Sequence, residues 1–174
     1  MEALKERHTA RKFKADDLPL QQVSNLLWAA CGVNRPEENR RTAPTARNWQ
    51  EIDVYIAFKD AAYKFDAIKH CLVKVVDGDV RKNLGKQSFV EDAPIVLAYV
   101  SNLKAMGIIP KEMKEFYSAT DTGFISQNVY LFCASEGLST VVLGYIDRDD
   151  VAEGLKLDKD QYVVLTQVVG MTAQ

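Results

Sequence analysis

The apolar positions of the chain alternate between a helical and an extended period, and the switches mark out its elements. Leu20, Val23, Leu26, Leu27, Ala30 and Cys31 recur at steps of three and four residues, the spacing of one apolar stripe on a helix. Asp16 and Asp17 stand before the run, where negative charge favours a helix start. Pro19 suits a first turn and Gly32 a stop. The spacing therefore predicts a helix ending at Cys31. From Glu51 to Phe58 the pattern alternates and is rich in β-branched residues, a strand. Ala61 to Phe65 returns as its hairpin partner around Lys59-Asp60. Ala93 to Val100 is almost wholly apolar, a strand covered on both faces, with Pro94 confined to its start. Thr140 to Ile146 and Tyr162 to Val169 read as buried strands too.

Three further segments have helical character. Leu4 to Thr9 and Arg148 to Leu155 are short. Phe116 to Glu136 is the longest helix and Gly137 closes it. Its part from Val129 to Ala134 is apolar all round, which predicts burial on every side, inside the domain or against a second chain. Asn34 to Asn39 is polar, contains Pro36 and reads as a loop, and Asp79 to Leu84 is a short helix at best. Asn102 to Lys114 has no clean period and reads as a mobile flap or a surface helix-loop. The order of elements predicts an α+β layer fold, one mixed sheet with helices packed on it, in a single domain over 1–174.

Charge and cysteine content narrow the setting. A formal net charge of −2 argues against a nucleic-acid binder, which would carry a basic surplus. No apolar run approaches the ~18 residues of a membrane span. Met1 to Glu6 lacks the apolar core of a signal peptide. Cys31, Cys71 and Cys133 are widely spaced and form no C-x-x-C pair, so each is expected to be a small buried hydrophobe in a reducing, cytoplasmic protein.

The familiar catalytic and metal patterns do not fit. His8 and His70 have no ligand partner at helical spacing. There is no G-x-S-x-G elbow, no G-x-G-x-x-G and no P-loop. What remains suits a phosphate and a polar ring. Arg7 and Arg11 offer planar forks, with the Thr9 hydroxyl between them. Asn48, in the basic loop Arg40 to Gln50, carries donor and acceptor on one amide. Gly144 ends a buried strand where a ligand can approach the backbone. Each has an ordinary alternative: a solvated basic face, a turn residue, a bulge.

Taken together, these stretches resemble the nitroreductase family of FMN-dependent oxidoreductases. Arg7-His8-Thr9-Ala10-Arg11-Lys12-Phe13, Leu27-Trp28-Ala29-Ala30-Cys31-Gly32-Val33-Asn34-Arg35 and Arg41-Thr42-Ala43-Pro44-Thr45-Ala46-Arg47-Asn48-Trp49-Gln50 are similar to family segments. Asp121-Thr122-Gly123 with Gln127-Asn128, then Gly137 to Thr140, then Val169-Gly170, follow in the family's order. The resemblance implies a mixed, mostly antiparallel central sheet flanked by helices, and FMN held at a homodimer interface. It implies reducing equivalents passing from NAD(P)H through flavin N5 to a nitroaromatic, quinone or similar flat acceptor. The cofactor-binding residues it implies are Arg7, His8, Thr9 and Arg11 around the phosphate and pyrimidine, and Pro44, Thr45, Ala46 and Asn48 along the ring's polar edge. Leu143 and Gly144 would face the flavin, with a backbone N–H near N5. No catalytic side chain and no metal are implied. Two alternatives stay open: a non-catalytic flavin or nucleotide binder, and an azoline-type dehydrogenase of the same family. Two departures stand out: Thr45 replaces a serine, and Gly170-Met171-Thr172-Ala173-Gln174 lacks the basic residue that in many relatives reaches the phosphate, so weaker FMN binding is expected.

Overall fold

The structure, a computed structural model, describes residues 1–173. Its centre is a six-stranded sheet with the order β5-β4-β3-β6-β8-β7. The strands are β3 (Ile52–Ala57), β4 (Ala61–Asp66), β5 (Cys71–Asp77), β6 (Ile95–Asn102), β7 (Leu138–Leu143) and β8 (Gln161–Met171). Every pairing in it is antiparallel. A two-stranded ribbon, β1 (Val33–Arg35) with β2 (Arg40–Arg41), stands apart. The helices are α1 (Glu2–Glu6), α2 (Leu20–Cys31), α3 (Lys111–Glu136) and α4 (Arg148–Gly154).

The central strands can be read from the sequence because both faces of the sheet are covered. On one face Ile52, Val54 and Ile56 of β3 and Ile95, Leu97 and Tyr99 of β6 meet Leu26, Leu27 and Ala30 of α2 and Ile125 and Val129 of α3. On the other, Tyr55, Ala57, Val96, Ala98 and Val100 meet Leu84, Val90 and, from α4, Val151. Central strands between two apolar layers have no polar face to alternate with, so their sequences are continuous apolar runs. A buried polar chain crosses the sheet's first face: the Tyr99 hydroxyl donates to Gln167 at 2.6 Å, and the Gln167 amide donates to the Thr140 hydroxyl at 3.0 Å. α4 is capped by the Asp147 side chain, which accepts from the backbone N–H groups of Asp149 and Asp150.

Several expectations are corrected. β5 was not anticipated. It is an edge strand with most side chains exposed, so it carries little apolar signal, and the chain enters it through His70 at φ 50°. Cys71, expected to be buried, lies exposed on that edge, whereas Cys31 and Cys133 are buried. Asn34 to Asn39 is not a plain loop: it holds the end of β1 and a 3-10 turn, with Asn39 left-handed at φ 49°. The first helix stops at Glu6 rather than Thr9. α3 begins at Lys111, so the Asn102–Lys114 segment is a turn followed by the helix's first residues. Within one chain α3 is not buried on every side: Val129, Tyr130 and Cys133 are buried, while Leu131, Phe132 and Ala134 are only partly covered. Phe116 and Phe124, on the outer face of the same helix, are exposed. Gln174 lies outside the described residues.

Candidate functional site

The residues named from the sequence fall into two groups, and each is tied to α3. The first is the N-terminal arm. Beyond α1 the chain extends along the open edge of β7, where the Ala10 N–H donates to Thr140 O at 3.1 Å. The Tyr130 hydroxyl accepts the Val142 N–H at 3.0 Å and hydrogen-bonds Thr9 Oγ1 at 3.2 Å. The Arg7 guanidinium stacks over the Tyr130 ring, 5.3 Å from its centroid. Further on, Phe13 bridges to Thr172 and the Lys14 N–H donates to Met171 O. The arm thus satisfies an edge that would otherwise present unpaired backbone groups. It also brings Arg7 and Thr9 alongside the end of β7. His8 Nδ1 hydrogen-bonds Glu6 O at 2.8 Å, and Arg11 is exposed. Leu143 is buried, but Gly144 is exposed, and a Cβ built there would meet only Leu165 at ordinary contact distance, 3.6 Å. The backbone at this strand end is open to a flat ligand.

The second group is the loop Pro44 to Asn48. Pro44 is exposed, and Thr45, Ala46 and Asn48 are half-buried. Three residues without glycine's freedom sit in the left-handed region here: Arg47 (φ 50°), Asn48 (φ 56°) and Gln50 (φ 51°). Such backbone persists only where its surroundings over-determine it, and here side chains do so. The Ala46 N–H donates to Asp121 Oδ2 at 3.0 Å. The Thr45 hydroxyl donates to Glu51 Oε2 at 3.2 Å and accepts the Gln50 N–H at 3.1 Å. The Gln50 amide donates to Asn48 Oδ1 at 3.0 Å and to Asn39 O at 2.6 Å. Arg47 lies over the Trp49 ring, which packs edge-on against Tyr117.

Beneath this loop are two buried carboxyls. Glu51 is 1% exposed and Asp121 2% exposed. Burial pushes the Glu51 carboxyl up to about 7, and repulsion from Asp121 adds to the rise, against the hydrogen bonds that lower it. Burial likewise raises the Cys31 thiol nearby to about 11, with Arg41 opposing. Glu51 Oε1 and Arg41 Nε are buried without a partner, and both residues line the same small cavity. Glu51, Asp121 and Tyr130 were given no role from the sequence. Asp121 stands in a segment similar to the family's, and Glu51 interrupts the approach to an apolar strand, which was the available signal. Tyr130 is hidden in an apolar run.

Among the described residues no hydrogen bond or ion pair joins the two groups, and each is anchored to its own residue of α3, Tyr130 or Asp121. Asp121 and Tyr130 lie nine positions apart on α3, about two and a half turns, so they flank its buried stripe from opposite sides. No group of three or more His, Cys, Asp or Glu able to hold a metal occurs among the described residues. No helix among them is long and apolar enough to cross a membrane.

An antiparallel sheet with long α3 on one face, a basic arm on the edge strand and a strained polar loop at the helix's far side define the nitroreductase-type α+β architecture. The chain belongs to the nitroreductase family, whose model matches residues 4–171. It is 30% identical to a Methanocaldococcus jannaschii protein assigned as a nitroreductase, over 97% of this chain and 89% of that one. A crystal structure assigned likewise, from Ralstonia eutropha JMP134, matches with TM-score 0.95 at 40% identity, over 99% of this chain and 82% of that one. The NADPH:FMN oxidoreductase of Vibrio harveyi, solved with NAD+, shares the fold with TM-score 0.72 at 19% identity, over 99% of this chain and 68% of that one. Family membership makes the protein an oxidoreductase.

Proposed function

We propose that the protein is an FMN-dependent oxidoreductase that takes reducing equivalents from NADH or NADPH and passes them to a flat acceptor such as a nitroaromatic or a quinone. The observation that carries this reading is the junction at Tyr130. One hydroxyl ties Thr9 and Val142 together, so a cationic arm with Arg7 and Arg11 runs beside the bare backbone at Leu143-Gly144. These groups fit FMN. Arg7 and Arg11 suit a phosphate, the Thr9 hydroxyl suits the pyrimidine side, and the missing Cβ at Gly144 lets a planar ring approach. His8, beside them, points its Nδ1 to the backbone and would line the site rather than ligate. Pro44, Thr45, Ala46 and Asn48 would wall the ring's polar edge.

The hydride chemistry belongs to the flavin when it is bound. The chain's contribution is binding, orientation and charge. Backbone N–H groups at the end of β7 and the arginines of the arm favour the negative charge that a reduced ring carries. Because the arm and the Pro44–Asn48 wall flank α3 on opposite sides, a complete site is read as forming in a homodimer, with the arm of one protomer facing the wall of its partner. The exposed apolar outer face of α3, with Phe116 and Phe124, and Trp28 on α2 support that reading. The same reading treats residues 1–174 as one domain acting in the cytoplasm on small molecules.

The test is optical. Purified protein, as isolated or after adding FMN, should be yellow and should bleach anaerobically with NADH or NADPH. Arg7→Ala and Arg11→Ala should each weaken FMN binding, since each removes a charge-assisted contact of roughly 1.5–3 kcal/mol. Absence of FMN uptake sinks the proposal. Uptake without bleaching by either nicotinamide nucleotide leaves a non-catalytic flavin binder. Unchanged affinity in both arginine variants means the phosphate lies elsewhere.

A further inference from the structure

The loop Pro44–Asn48 is held from below by two acids, and their arrangement has a consequence for ligand retention. Thr45 and Ala46 are consecutive, and each is anchored by a different buried carboxyl: Thr45 through its hydroxyl to Glu51, Ala46 through its N–H to Asp121. Both carboxyls are almost completely buried. Burial and the neighbouring Asp121 carboxyl make ionisation of Glu51 costly. The loop itself is poised to relax, with Arg47, Asn48 and Gln50 all left-handed.

We propose that Glu51 and Asp121 are positioning residues for the Pro44–Asn48 wall: a single proton held between them lets both clamp the loop, and losing it releases the wall. The inference rests on the reading of this loop as a flavin wall. The charged and titratable neighbours are few. Arg41 and Cys31 border the same cavity as the pair, and Asp53, next but one along the chain, is paired with Lys64 at 2.7 Å. Lys64 is committed to Asp53, and Arg41 is the cation that borders the pair's cavity. Its Nε is buried without a partner, so it occupies neither clamping oxygen. Glu51 Oε1 also lacks a partner and is the free position for the shared proton. Burial and Asp121 hold the Glu51 carboxyl near 7, so the clamp weakens as pH rises above neutrality.

The experiment is FMN titration of the full chain from pH 6 to pH 9, with Glu51→Gln and Asp121→Asn in parallel. Each amide keeps an acceptor for its loop partner but cannot ionise. In the wild type the Kd for FMN should rise above about pH 7 by up to tenfold per pH unit, the limit for one linked proton. Either folded variant should bind FMN at pH 6 within about threefold of the wild type, a change worth under ~1 kcal/mol, and should lose the wild type's extra pH slope. Amide hydrogen exchange on the ligand-free protein gives a second readout. Exchange at Ala46 and Gln50 should accelerate in the wild type above pH 7 beyond the intrinsic pH effect, and should not do so in the variants. A wild-type slope shared by both variants, or loop protection indifferent to pH, overturns the clamp. Failure of every form to take up FMN, with the pH-dependent exchange intact, overturns the flavin reading and leaves the clamp standing.

Discussion

Tyr130→Phe is the most direct probe of how the arm is held. The substitution removes one oxygen and leaves the ring, so the packing of α3 and the stacking of Arg7 persist. The lost hydroxyl accepts the Val142 N–H at 3.0 Å and bonds Thr9 at 3.2 Å. Val142 lies on the edge strand and uses this contact in place of a seventh strand, so its N–H is left without a protein partner. An orphaned buried donor costs about 1–3 kcal/mol, and the Thr9 bond contributes about 0.5–1.5 kcal/mol net. Val142 is only half-buried and Thr9 is exposed, so water recovers part of the loss, and a net destabilisation of about 1–2 kcal/mol is expected. For a chain of 174 residues, that lowers Tm by about 2–8 °C. The arm should also loosen, weakening FMN binding by roughly 5- to 30-fold. Thermal denaturation of the ligand-free protein and an FMN titration measure the two effects separately. A variant with Tm within about 1 °C of the wild type and unchanged FMN affinity would mean that neither contact holds the arm.

Two further outcomes follow from the same geometry. Gly170→Ala should destabilise the fold by about 1–3 kcal/mol, because the new Cβ would meet Pro94 Cδ at 2.7 Å and Phe13 Cδ1 at 3.2 Å; a melt that matches the wild type would mean the Pro94 and Phe13 contacts are softer than drawn. Stability should also depend on pH through Glu51. Its carboxyl is raised from 4.5 to about 7 on folding, so the folded state holds the proton more tightly than the unfolded chain. Stability therefore falls as pH rises through that window and levels off above it. Glu51→Gln should remove the fall and be the more stable protein at pH 8, by roughly 1–3 kcal/mol, as measured by urea denaturation. Parallel pH profiles for the two proteins would show that Glu51 does not titrate in this range.

How much was legible in the sequence depended on which physical signal each part carried. α2 was readable to its last residue because half of it faces the sheet and half faces water, so apolar residues recur at helical spacing. β6 and β8 were readable because burial on both faces leaves them mostly apolar, with runs such as Ile95 to Val100 and Tyr162 to Leu165. β5 was not, since an edge strand with a largely exposed burial pattern has no such signal. The candidate residues of the arm and the loop were named through their resemblance to a family, but the side chains that hold them in place were not. Nothing local announces that Tyr130, in an apolar run, reaches Thr9 from 121 positions away. Nor does anything local announce that Asp121 anchors Ala46 across 75.

Most helices and the central strands, the family and the chemical types of the groups offered to a ligand could be read along the chain, because these follow from periodicity, turn chemistry and short segments. That the groups form two sets on opposite flanks of α3 emerges only once the chain is folded. Helix geometry turns a nine-residue separation into opposite directions in space. Folding, too, makes Glu51 and Asp121 neighbours. Their coupling exists because packing removes both from water, and no spacing along the chain encodes that.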